Sequence, residues 1–330
     1  MPNIKPLIDS VFSIDNEAGF NKATLAIFRY QLKFNKVYRH YVEYINRNEK
    51  QINHYSKIPF LPIEFFKTHQ IISGNFKPEA IFTSSGTTGM SFSKHEVADL
   101  SIYEQSFTNG FKLFFGNIKE YAILALLPSY LERNGSSLVF MAEKLIRTSV
   151  HSESGFYLNE YEQLSNVLKQ LKSKGKKTIL LGVTYALLDL AEQFPVDFPE
   201  LIIMETGGMK GRRKEMVREE LHGRLTSAFG VSKIYSEYGM TELLSQAYSK
   251  GDGLFETPPW MKVLIRDTND PYSFIPQNKT GGVNVIDLAN IHSCSFIETK
   301  DLGKIHPGGQ FEILGRFDNS DIRGCNLMIG

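Results

Sequence analysis

The sequence predicts an α/β fold, a parallel-rich sheet covered by helices with a smaller antiparallel β part towards its C-terminal end. Three observations carry this. Short apolar runs alternate with helical stripes through the middle of the chain. Polar, glycine-containing turns follow two of those runs directly. Beyond residue 240, prolines and glycines multiply and short strands replace long helices.

Taken in order, residues 20–47 place Leu25, Phe28, Leu32 and neighbouring aromatics near a 3.6-residue period and predict a helix with a wide aromatic packing face. No basic patch accompanies these aromatics, which argues against a platform for stacking bases. Ile58-Pro59-Phe60-Leu61-Pro62-Ile63 ends the helical pattern, because proline cannot donate to the helix ladder. A Ser/Thr/Gly loop follows at 83–89, and residues 95–99 are expected to open a helix. Tyr121 to Leu127, stopped by Pro128, reads as a buried strand. Leu164, Val167, Leu168 and Leu171 form a helical stripe over 160–173, which Gly175 is placed to stop. Thr178 to Val183 reads as the next strand, followed by a helix to about Phe194. Leu201 to Met204 is a strand running into Thr206-Gly207-Gly208. Arg212 to Phe229 predicts a helix ended by Gly230, with Arg212-Arg213-Lys214 as a solvated face. Lys233 to Ser236 is a strand leading into Tyr238-Gly239-Met240-Thr241-Glu242. Gly282 to Ile286 and Gln310 to Leu314 are strands of the antiparallel part. The expectation is one domain over 1–330, with a helical segment at 1–80, an α/β body at 81–240 and a mainly β subdomain at 241–330.

The bulk numbers set limits. The 330 residues are 42% hydrophobic and 22% charged, ordinary for a globular protein with a sizeable core. A formal net charge of +1 gives no electrostatic basis for nucleic acid or a membrane surface as the main partner. Cys294 and Cys325 are the 2 cysteines, too few for a disulfide framework, so a reducing cytoplasm is expected. The start, Met1-Pro2-Asn3-Ile4-Lys5, does not read as a signal peptide, and no apolar run is long enough to span a bilayer.

Ligands of open α/β sheets sit beyond the carboxyl ends of the strands, which draws attention to 206–208 and 238–242. The loop Ser84-Ser85-Gly86-Thr87-Thr88-Gly89 has the composition of a phosphate cradle, with Lys94 beyond it as a cation. Composition alone serves a solvated surface loop equally well. No Gly-Lys-Ser/Thr follows its first glycine, so it is not the P-loop of NTPases. His95-Glu96-Val97-Ala98-Asp99 fits the His-x-x-x-Asp pattern of acyltransferases that need no ATP, but so short a pattern recurs by chance. His151, His222 and His292 show no metal-ligand spacing.

Thr83 to Gly89 with Lys94 resembles the phosphate loop of the adenylate-forming superfamily. Tyr238-Gly239-Met240-Thr241-Glu242 resembles its aromatic-Gly-x-Thr-Glu turn, Thr299-Lys300-Asp301-Leu302-Gly303 its third hallmark, and Gly315-Arg316-Phe317-Asp318 its fourth. All stand in the superfamily's order. Within it the chain is most similar to the acyl-protein synthetases of the bacterial luminescence fatty-acid reductase complex. Leu127 to Gly135, Thr206 to Gly211 and Ser320 to Cys325 carry that likeness.

The resemblance implies the large N-terminal domain of the adenylate-forming fold. It implies ATP-dependent activation of a carboxylic acid, a fatty acid in this family, to acyl-AMP, followed by transfer to a protein cysteine. Ser84, Ser85, Gly86, Thr87, Thr88 and Gly89 would hold the leaving pyrophosphate. Gly207 and Gly208 would border the adenine and the acyl chain. Tyr238 would stack on adenine, Thr241 would contact the α-phosphate and Glu242 would bind Mg²⁺. Asp301 and Arg316 would hold the ribose hydroxyls, and Cys325 would carry the acyl group towards an acyl-reductase partner. Superfamily members that use coenzyme A continue past the Gly-Arg-x-Asp hinge into a mobile lid with a lysine that completes adenylation. This chain stops at Gly330, so the expectation is a lidless domain with Lys94 or Lys210 as the substitute. The alternatives are an acyl- or aryl-CoA ligase and a non-catalytic acyl-binding subunit of a reductase complex.

Overall fold

A computed structural model describes residues 4–84, 92–128, 135–207 and 216–317. The chain divides into two compact units. One comprises Met1–Tyr103, Glu242–Ser245 and Glu256–Gly330, and the other Glu104–Thr241 and Gln246–Phe255. In chain order the strands are β1 (Leu61–Pro62), β2 (Ala80–Thr83), β3 (Lys94–Val97), β4 (Ala122–Leu126), β5 (Gly155–Tyr157), β6 (Thr178–Val183) and β7 (Ile202–Thr206). There follow β8 (Tyr235–Tyr238), β9 (Ala247–Ser249), β10 (Leu254–Glu256), β11 (Met261–Arg266), β12 (Gly281–Asp287), β13 (Phe296–Ile305) and β14 (Phe311–Arg316).

The first unit begins with helices. The periodicity predicts one helix over 20–47, whereas the structure has Glu17–Phe34 and Lys36–Tyr44. Asn35 is the reason. Its backbone is extended, and its side-chain oxygen accepts from Tyr38 N at 2.9 Å, capping the second helix. Its side-chain amide donates to Ser293 O at 3.0 Å, so the break is locked from inside the core. The aromatic face packs as expected. Phe28 meets Tyr38 and Phe296 edge-on, and Tyr38 stacks on Phe296 with centroids 5.9 Å apart.

Strands β11, β12, β13 and β14 of this unit form an antiparallel run, with β1 parallel to β13. One buried cation stitches three of them. Arg266 on β11 donates to Val283 O at 3.0 Å and Asn284 Oδ1 at 2.8 Å on β12, and to Thr299 O at 2.8 Å on β13. Glycine is required beside it: a Cβ on Gly281 would stand 2.2 Å from Arg266 O. A separate hairpin pairs β2 with β3. This corrects the helix expected at 95–99. Residues 94–97 alternate between outward and buried positions, His95 is buried edge-on to Phe66, and the following helix starts at Leu100. Alternation of period two suits a paired strand and not a helix.

In the second unit β5, β4, β6, β7 and β8 are parallel neighbours, and β9 pairs antiparallel with β8. Every residue of β4 and β6 is buried, the mark of a parallel sheet covered on both faces. Helices Tyr161–Ser173 and Thr184–Gln193 follow the expected stripes, with Leu164, Leu168 and Leu171 buried. Gly230 ends helix Arg218–Phe229 at φ 66°, where an L side chain is strained. The strand expected at 233–236 runs instead from Tyr235 to Tyr238, because Glu237 and Tyr238 are still paired with β9.

That shift buries a carboxyl group. Thr206 and Glu237 are register partners on β7 and β8, and Thr206 Oγ1 donates to Glu237 Oε2 at 2.5 Å. Burial pushes the Glu237 carboxyl up to about 7 and nearby Glu205 pushes the same way, against the Thr206 hydrogen bond. Between its ordinary range and that value, the folded protein holds a proton that the unfolded chain has lost. The stability from that proton is fully present below about pH 4.5 and falls as pH rises to about 7, by roughly 3 kcal/mol. Glu237→Gln should remove this component. Urea midpoints at pH 5 and pH 8 should lie closer together in the variant than in the parent. An unchanged spread would show that the group does not titrate this way.

Candidate active site

In the first unit the hairpin β2–β3 frames the Ser/Thr/Gly loop. Ser84 N donates to Ser93 O at 3.1 Å, and Ser93 N donates to Ser84 Oγ at 3.0 Å, so the loop is tied across its mouth. Lys94 pairs with Thr83 on the ladder and is exposed. Ser93 also hydrogen-bonds the Glu242 side chain. The loop mouth and the carboxylate of the Thr241-Glu242 motif thus share one buried serine, a link that no sequence signal marks.

Glu242 is only 5% exposed. Burial raises its carboxyl above the ordinary range, opposed by the Ser93 hydrogen bond and the charges of Arg316 and Lys67. Its backbone oxygen accepts from Asn290 Nδ2 at 2.7 Å. Just beyond it, Leu244 N and Ser245 N donate to Asp287 Oδ2 at 2.7 and 2.9 Å.

The third and fourth motifs meet across neighbouring strands. Asp301 on β13 and Arg316 on β14 are register partners, with Arg316 Nε 3.2 Å from Asp301 Oδ1. Asp301 is mostly buried, whereas the Arg316 side chain is 71% exposed. Its charge is nonetheless felt at Glu242, so Glu242, Asp301 and Arg316 form one electrostatic neighbourhood within the unit.

The second unit holds Gly207, Gly208, Tyr238 and Thr241 of the expected residues. Tyr238 ends β8, buried, with its ring edge-on to Phe255. Gly239 follows where a Cβ would stand 2.4 Å from Glu237 Oε1, so a side chain here would displace that carboxyl. Gly207 turns the chain after β7 at φ 69°, and its carbonyl accepts from Thr184 Oγ1 at 2.9 Å. Thr184 also reaches Glu205 Oε2 at 3.1 Å, and Ser236 Oγ donates to Glu205 Oε1 at 2.7 Å. Thr184, Glu205 and Glu237 carry no motif, yet they hold the turns that do. Their one signal is their place at the carboxyl ends of β6, β7 and β8. The chain passes from one unit to the other between Thr241 and Glu242.

Ser85, Gly86, Thr87, Thr88, Gly89, Gly208, Lys210, Asp318 and Cys325 lie outside the described residues, as do parts of 127–135 and 206–211 and all of 320–325. Cys294 is a buried structural residue: its thiol is pushed up to about 12 by burial, and it donates to Phe296 O. Among the described residues no group of three or more His, Cys, Asp or Glu could hold a metal by itself, and no helix is long and apolar enough to cross a membrane.

Comparison with solved structures shows the same fold. ATP-bound MatB from Rhodopseudomonas palustris matches with a TM-score of 0.56 and 18% identity, over 72% of this chain and 48% of that one. The chain therefore spans about half the length of that relative. An open conformation of 2-hydroxyisobutyryl-CoA ligase, in complex with 2-HIB-AMP and CoA, matches with a TM-score of 0.63 and 13% identity, over 93% of this chain and 72% of that one. The same ligase in its thioesterification state gives a TM-score of 0.62 and 14% identity, over 97% and 73%. No curated protein matches the sequence. The family model described as "Acyl-protein synthetase, LuxE" matches residues 9–330. With the fold of the large domain of adenylate-forming enzymes and that match along nearly its whole length, the chain belongs to the LuxE acyl-protein synthetase family.

Proposed function

We propose that the protein activates a fatty acid with ATP to acyl-AMP and then moves the acyl group to the thiol of Cys325, for delivery to an acyl-reductase partner. The observation that carries this reading is the buried Glu242 carboxylate, tied through Ser93 to the mouth of the Ser/Thr/Gly loop and sharing its surroundings with the Asp301–Arg316 pair. A scaffold would gain nothing from burying a carboxylate at such a loop, since desolvating a charge opposes folding.

The chemistry needs positioning more than a base. The acid is already ionised at neutral pH, so its oxygen attacks the α-phosphorus directly, a new P–O bond forms, and the bond to pyrophosphate breaks. In this reading Ser84 to Gly89 hold the leaving pyrophosphate, with Lys94 nearby as a cation. Thr241 steadies the α-phosphate, Tyr238, Gly207 and Gly208 border the adenine, and Asp301 with Arg316 hold the ribose. Cys325 as thiolate then attacks the acyl carbonyl carbon, a C–S bond forms, and AMP leaves with the electron pair of the C–O bond.

The donor set fits Mg²⁺. A single carboxylate suits a hard cation that takes its remaining ligands from phosphates and water, and a buried carboxyl with a raised pKa gains most from a nearby dication. Glu242 would hold the ion, which when bound neutralises phosphate charge.

Purified protein with Mg²⁺-ATP should exchange pyrophosphate into ATP only when a carboxylic acid is added, with fatty acids the best of a broad panel. Absence of exchange with every acid, in folded protein, would overturn the reading. Glu242→Gln should lower exchange by roughly two orders of magnitude, the scale of losing one preorganised electrostatic contact, with only a small change in melting temperature. A stability loss with full activity per folded molecule would instead make Glu242 structural.

Cys325→Ala should keep acid-dependent exchange but lose covalent labelling by a radioactive acyl group. Cys294→Ala should keep both. Persistent labelling of Cys325→Ala would assign the acceptor elsewhere, and added coenzyme A or a partner thiol would then be the acceptor to assay.

A further inference from the structure

The loop between β12 and β13 holds a concentration of buried polar groups that the motifs do not contain. Asp287, at the end of β12, is fully buried. It accepts from Leu244 N at 2.7 Å, Ser245 N at 2.9 Å and Ser245 Oγ at 2.5 Å, and from Ala289 N at 3.1 Å in its own turn. Trp260 Nε1 donates to the same Ser245 hydroxyl at 3.1 Å. Asn290, also fully buried, donates through Nδ2 to Glu242 O at 2.7 Å and to Cys294 O at 3.0 Å. The loop is braced in turn by Gln31, whose Nε2 donates to Asn290 O at 3.0 Å and Ile291 O at 3.1 Å. All of these residues belong to the first unit.

These bonds converge on one short segment. Glu242 is held by its carbonyl, and the amides of Leu244 and Ser245 are held by a carboxylate, while Ser93 takes the Glu242 side chain. A side chain reaches its ligand only as accurately as its backbone is fixed. The segment adopts no helix or strand, so its own ladder cannot fix it. A buried carboxylate receiving several N–H and O–H donors is a strong, directional clamp, and losing a donor leaves a buried acceptor unpaired.

We infer that Asp287 and Asn290 are positioning residues that set the Glu242 carboxylate for the metal and phosphates of ATP. The inference rests on the reading of Glu242 as the metal-binding carboxylate. Asp287→Asn replaces one acceptor oxygen with an NH₂ group, which faces either the Leu244 and Ser245 amides or the Ala289 amide and Ser245 hydroxyl, so backbone donation is lost whichever way the amide turns. Asn290→Ala releases the Glu242 carbonyl without adding charge.

Three measurements on the full chain test this: thermal midpoint without ligand, ATP affinity with and without Mg²⁺, and the Mg²⁺ concentration for half-maximal pyrophosphate exchange. Both variants should raise the Mg²⁺ requirement by about tenfold or more, the usual cost of removing a group that orients a metal ligand. They should also shrink the gain in ATP affinity that Mg²⁺ brings, leaving metal-free ATP affinity near that of the parent. Ile123→Val, a buried change on β4 of the other unit, should lower the thermal midpoint without moving the Mg²⁺ requirement. If Asp287→Asn does not fold, Asn290→Ala and Ser245→Ala carry the test. An unchanged Mg²⁺ requirement in folded variants, beside a large shift in Glu242→Gln, would overturn the positioning role alone. An unchanged Mg²⁺ dependence in Glu242→Gln itself would overturn the reading of Glu242 and the positioning role together.

Discussion

The carboxylate of Asp287 is the fixed point of the first unit's polar interior. Removed from water, an acceptor of this kind must find donors within the protein, and it finds them in the backbone of Leu244 and Ser245 and in the Ser245 hydroxyl. Burial still raises its carboxyl above the ordinary range, so the donors offset desolvation only in part. A group held under that constraint forces neighbouring chain into one arrangement, because any other leaves it unpaired. The segment so fixed, 242–245, is a short insertion of first-unit chain between two stretches of the second.

The same logic repeats on a smaller scale elsewhere. Asn35 breaks an otherwise continuous helical pattern because its side chain is claimed by Tyr38 N on one side and Ser293 O on the other. The Arg266 guanidinium finds room beside Gly282, where a Cβ would stand 2.3 Å from its Cζ. In the second unit, Glu205 ties Thr184 and Ser236 together, and Thr184 reaches on to the carbonyl of Gly207. In each case buried polar side chains act where irregular backbone meets the end of a strand or helix. Apolar packing fixes the strands themselves, but it is non-directional and cannot aim a turn. Hydrogen bonds of defined geometry do that.

The division of labour suits the adenylation chemistry proposed for this chain. Transfer at phosphorus with an ionised nucleophile gains most from charges and dipoles that are already in place, since reorganising them during reaction would raise the barrier. A carboxylate out of water also interacts more strongly with a cation than an exposed one does, so its placement matters more. The pairing of Arg316 with Asp301 sets an exposed charge beside a largely buried one.

Much of this is legible in the residues. The all-buried strands β4 and β6 announce themselves as continuous apolar runs, and the stripe of Leu164, Leu168 and Leu171 announces its helix, because burial imposes those periods directly on local sequence. The motif positions 207, 238–242, 301 and 316 are equally visible, since each is a short string in one piece of chain. The strand at Lys94–Val97 reads as the start of a helix, because a four-residue alternation is too brief to outweigh the helix that follows it. Only the tertiary structure decided that Ser93 joins the loop mouth to Glu242, that Asp301 and Arg316 face each other across β13 and β14, and that Asp287 and Asn290 hold the 242–245 segment. Those contacts depend on strand register and on side chains distant in sequence, and a buried hydrogen bond leaves no periodic trace in the chain that makes it.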